Sequence, residues 1–105
     1  MITKKVKNRK SSDYKAFLMT RLADPVMAAG YLTASFEEGE QAFLLAIKDV
    51  AEACGGIAPL AKKTQLNREG LYDMLSEQGD PRLSSLSAIL GALDMKVEFM
   101  PKLVS

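Results

Sequence analysis

The chain has no histidine, no tryptophan and a single cysteine, Cys54. Without histidine there is no imidazole to serve as a general base or to complete a Cys/His zinc set, and without a second thiol there is no intrachain disulfide. Cys54 is expected to be a small buried hydrophobe rather than a nucleophile, because no histidine exists to activate it. Long apolar runs are missing too: the longest uninterrupted one covers residues 42–47, against the ~20 residues that a membrane helix needs. Met1 is followed by charges rather than by the apolar core of a secretory signal. A reducing, cytoplasmic setting without membrane contact is therefore expected. No Gly-rich phosphate loop and no metal-ligand cluster is present, so no catalytic residue, metal or cofactor is expected, and no enzyme.

What the chain does hold is 105 residues with 48% apolar and 26% charged side chains, an ordinary composition for one modest core. A net charge of +1 hides an uneven distribution. Residues 1–20 carry six basic side chains against one acid, and residues 21–56 carry two against six. Residues 1–12, with Lys4, Lys5, Lys7, Arg9 and Lys10, have too little apolar surface to order themselves and are expected to form a mobile basic arm, either lying on phosphates or only solubilising the chain. Residues 13–105 are expected to form a single domain.

Helical spacing of apolar residues recurs along that domain. Tyr14, Phe17, Leu18 and Leu22 mark a first helix. Asp24 and Pro25 read as N-cap and first position of a second, with Val26, Met27, Ala29, Tyr31, Leu32 and Phe36 as its apolar side. A third, over about residues 40–54, is apolar on too many faces for a narrow stripe and is expected to be the most buried. Leu83, Leu86, Ile89, Leu90 and Leu93 mark a last amphipathic helix. Met95, Val97 and Phe99 then alternate with Lys96, Glu98 and Met100 up to Pro101, a period of two that predicts one short strand. A lone strand either stays merely extended or pairs with its copy in a second subunit, so Met95, Val97 and Phe99 are the expected dimerisation residues of a homodimer. The expected fold class is all-α, about five helices with a short C-terminal strand.

Between the third and last helices, residues 57–76 read as a helix, a tight turn and a second helix. Pro59 suits a first helical turn, Gln65 and Leu66 turn the chain, and Asn67 is a good N-cap. Leu71, Met74 and Leu75 give the second helix one apolar stripe, leaving Arg68, Glu69, Tyr72 and Asp73 outward. A DNA-recognition helix needs this pattern: a small polar cap, core contacts four and eight residues after it, and free positions for base edges. Arg68 suits a bidentate contact to guanine, Glu69 can accept from the cytosine amino group, and Tyr72 can reach a thymine methyl or a phosphate. Lys62, Lys63 and Arg82 are candidates for phosphate contacts. Asn67 and Asp73 complete the expected DNA-binding set.

Four segments together, Leu22-Ala23-Asp24-Pro25, Gly55-Gly56-Ile57-Ala58-Pro59-Leu60-Ala61, Leu66-Asn67-Arg68-Glu69-Gly70-Leu71-Tyr72 and Leu75-Ser76-Glu77-Gln78-Gly79-Asp80-Pro81, resemble the addiction-module antidote proteins, close to HigA-type antitoxins, over about residues 13–100. The resemblance implies a lambda-repressor-like (Xre-type) helix-turn-helix in an antitoxin that neutralises a RelE/ParE-like (HigB-type) toxin and binds operator DNA to repress their shared operon. Two other readings stand beside it: a prophage-type repressor without a toxin, and a toxin-binding adaptor that has lost DNA binding. The chain departs from the family pattern where Gln65 replaces a turn glycine, where Gly79-Asp80-Pro81 replaces Gly-Asn-Pro, and where Asp94 replaces the glycine after the last helix. A non-glycine residue at a left-handed position costs about 1 kcal/mol, so the backbone is expected to persist with some loss of stability. Asp73 stands where such recognition helices often carry a basic residue.

Overall fold

A computed structural model describes residues 12–103, and these contain six helices and no strand. They are α1 (Ser12–Leu22), α2 (Pro25–Glu38), α3 (Glu40–Ala53), α4 (Ile57–Thr64), α5 (Arg68–Met74) and α6 (Leu83–Ala92). The expected mobile arm falls on residues 1–11, outside the described residues, and on Ser12, which already opens α1.

Local chemistry sets the breaks. Asp24 caps α2, its carboxylate accepting from the Val26 N–H at 3.0 Å, with Pro25 at the first helical position. Gly39 ends α2 and starts α3 by itself, at φ 143, a torsion that glycine adopts without penalty. Gly55 and Gly56, at φ 113 and 100, end α3, and the Gly56 N–H returns to the Ala51 carbonyl at 2.8 Å. Each helical segment read from the sequence is present, so the described residues hold six helices where the stated fold class gave about five.

α3 is the hub. Leu44, Ala46, Ile47, Val50 and Ala51 are buried, Ile47 and Val50 fully. α1 and α2 pack on α3 and on each other, α3 meets α4, and α4 carries α5 and α6. The Tyr31 hydroxyl donates to Asp49 Oδ2 at 2.7 Å and so ties α2 to α3.

Four expectations need correction. The residues expected to form a strand, 95–99, lie in a segment without regular structure, since no described segment offers them a partner ladder. α2 buries Ala28 and Leu32, while Val26 and Phe36 are 78% and 63% exposed, because α3 covers a different stripe than the one with most apolar residues. Leu83 opens α6 before that helix reaches the core and is 81% exposed. Cys54 is exposed at the C-cap of α3 rather than buried.

Candidate nucleic-acid interface

α4, a three-residue turn and α5 form the helix-turn-helix unit expected over residues 57–76. The turn is closed from both sides. Gln65 takes a left-handed φ of 63 and sends its N–H to the Ala61 carbonyl at 2.8 Å, a single-bond left-handed cap. Thr64 Oγ1 donates to the Leu60 carbonyl at 2.8 Å and accepts from the Leu66 N–H at 3.3 Å. Asn67 then caps α5, its Oδ1 accepting from the Gly70 N–H at 2.6 Å. Leu71 and Leu75 are fully buried and anchor α5 to the core. Beyond it, Gly79 passes so close to the end of α5 that a Cβ would collide with the Met74 carbonyl. Only glycine allows that approach.

The outward face of α5 is as expected: Arg68, Glu69, Tyr72 and Asp73 are all exposed. Helical geometry divides them. Arg68 and Tyr72, four apart, share one strip, and Glu69 and Asp73 share the next. The first strip gains a neighbour that periodicity did not reveal, because Lys48 of α3 lies with its Nζ 5.7 Å from the centroid of the Tyr72 ring, a cation–π distance. Lys48 belongs to the segment with an acidic balance and to the most buried helix, so only the tertiary fold brings it here.

Lys62 and Lys63 are exposed in the last turn of α4, just before the turn into α5. Arg82 is exposed at the N-cap of α6, on a loop separate from the turn. Asn67 has its side-chain carbonyl engaged in the cap, and its amide N–H groups are the donors it can offer another molecule. Over residues 57–82 four basic side chains face four acidic ones, so the unit has a basic–aromatic edge rather than a uniformly positive face. The described residues contain no group of His, Cys, Asp or Glu able to hold a metal ion, and no helix long and apolar enough to cross a membrane.

The three residues expected at a dimer contact are not equivalent. Val97 and Phe99 are 62% and 92% exposed. Met95 is half-buried against the core, and its N–H reaches the Leu90 carbonyl at 2.9 Å while Asp94, at φ 60, bonds to the Gly91 carbonyl at 3.0 Å. That pair of bonds is a Schellman motif, so the Met95 backbone closes α6 of its own chain.

Compared with known proteins, residues 11–101 match a family model described as probable addiction module antidote protein. No curated protein and no solved structure matches the chain.

Proposed function

The chain belongs to the probable addiction module antidote protein family, and on that premise we propose that it is a DNA-binding antitoxin that represses its own operon. An antidote implies a toxin partner. The finer assignment, to a RelE/ParE-like (HigB-type) toxin and a HigA-type, lambda-repressor-like (Xre-type) reader, rests on the four sequence segments quoted above. The protein acts by binding, without a catalytic step, a cofactor or a metal, and it works in the cytoplasm.

One observation carries DNA reading: α5 is capped by Asn67 and anchored by the fully buried Leu71 and Leu75, which turns the exposed Arg68 and Tyr72 outward beside Lys48. Arg68 reads a base edge, Tyr72 and Lys48 take the adjoining backbone, and Lys62, Lys63 and Arg82 set the register on phosphates. Glu69 and Asp73, on the next strip, face the cytosine side of the groove or water. Two copies joined through Val97 and Phe99 would present two such helices about 34 Å apart, one turn of DNA, and so bind as a homodimer to a two-fold operator.

Titration of the operon's promoter fragment by fluorescence anisotropy tests this. Arg68→Ala should cost ~1 to 3 kcal/mol and relax specificity at one base position, whereas Lys62→Ala and Lys63→Ala should weaken all sequences alike and flatten the salt slope. Equal binding by wild type and Arg68→Ala removes the assignment. The even charge balance of residues 57–82 favours one alternative, an adaptor that binds toxin but no DNA, and absence of any salt-dependent binding by the wild type would establish it.

A further inference from the structure

A groove of about 270 Å³ runs between α1 and α2, walled by Leu18, Arg21, Val26, Met27 and Gly30 among others. Of its apolar lining, Val26 is 78% and Met27 39% exposed, and Phe17, next to the lining residue Arg21, is 59% exposed. Exposed apolar side chains are ordinary when scattered, but two that line one groove, with Phe17 beside its Arg21, suit a contact surface. Arg21 bridges the rim, its guanidinium 5.5 Å from the Phe17 ring centroid and 3.7 Å from Met27 Sδ.

Gly30 adds an independent observation. It sits inside α2, where glycine weakens a helix relative to alanine. Nothing in the chain demands it, since a Cβ there would meet no atom within 4 Å. The fold thus loses helix stability at Gly30 with no internal packing in return, and the missing side chain leaves the backbone open on the groove wall.

Charge indicates what approaches. Residues 12–53 carry seven acidic and three basic side chains, and Asp24, Glu37, Glu38 and Glu40 are exposed at the ends of α2 and the start of α3. A second copy laid face to face on this surface would set acid against acid, whereas a protein with a positive fringe would be drawn in. α1 and α2 also pack on α3 rather than on α5, so this surface is separate from the DNA-reading strip.

We infer that the α1–α2 groove is the docking site of the module's toxin, which presents an apolar ridge flanked by lysine or arginine. This rests on the antitoxin reading. The probe is the purified product of the reading frame adjacent to this chain's own, titrated by calorimetry against the full-length chain. Val26→Glu and Gly30→Leu should each weaken binding at least ten-fold, while Gly30→Leu melts no lower than the wild type because leucine suits a helix interior. Equal binding by wild type and both variants overturns the groove and leaves the antitoxin reading intact. No binding by the wild type overturns both. A wild type that sediments as a dimer and a Val26→Glu variant that sediments as a monomer would give the groove to a second copy, and that also overturns the inference. Hydrogen exchange on the wild-type complex asks the same question without a substitution: slowed exchange in α1 and α2 supports the groove, and slowing confined to other helices refutes it.

Discussion

Gln65 and Asp94 hold left-handed torsions, φ 63 and 60, that a side chain makes costly. Each ends a helix and frees a carbonyl-seeking N–H to close it, so the conformation is needed whatever residue occupies the position. Replacing either by glycine should therefore stabilise the fold by about 1 kcal/mol. In a chain of this size that corresponds to roughly 4–8 °C in melting temperature, and circular dichroism melts of Gln65→Gly and Asp94→Gly measure it. A lower midpoint in both would mean that the side chains make compensating contacts. Asn67 works in the opposite sense. Its Oδ1 satisfies an N–H that α5 would otherwise leave unpaired, so Asn67→Ala should cost ~1 kcal/mol in the same melt. Substituting Asp for Asn67 preserves the acceptor and should restore most of the loss.

At the scale of whole helices, what could be read from the chain is what depends on neighbours in sequence. The caps at Asp24 and Asn67 and the burial of α3 follow from local rules, and each is found; the left-handed positions at Gln65 and Asp94, implied by the family resemblance, are found too. What depends on tertiary packing was not legible. α2 has more apolar residues than α3 can cover, so periodicity could not tell Ala28 and Leu32 from Val26 and Phe36. Lys48 reaches Tyr72 across a separation in sequence that no local pattern spans. An alternating pattern at 95–99 signals strand only if a ladder exists to receive it. The tail still offers an element-scale expectation. Since Met95 closes α6, the informative truncation falls after Lys96, beyond that motif. The shortened chain should keep its helical signal yet sediment as a monomer and lose cooperative operator binding. Persistence of a dimer at micromolar concentration would move the contact onto the helices.

For the whole molecule the charge is uneven: residues 12–53, in the α1–α3 layer, hold seven acidic and three basic side chains, while residues 57–82 hold four of each. Opposed potentials act mostly on encounter, so reversing Glu37, Glu38 and Glu40 to lysine should slow toxin association by about ten-fold at low salt and little at high salt, as stopped-flow mixing would record. An unchanged rate would place the toxin contact elsewhere. Assembly can be followed on the same molecule, because Cys54 is exposed at the end of α3 and is the chain's single thiol. A maleimide dye there labels each subunit once without any substitution, and energy transfer between two labels reports the subunit spacing on DNA. The same thiol sets a condition on every sizing measurement. In air two copies can join through a Cys54 disulfide, producing a covalent pair with no bearing on Val97 or Phe99, and the pair disappears on adding a reductant.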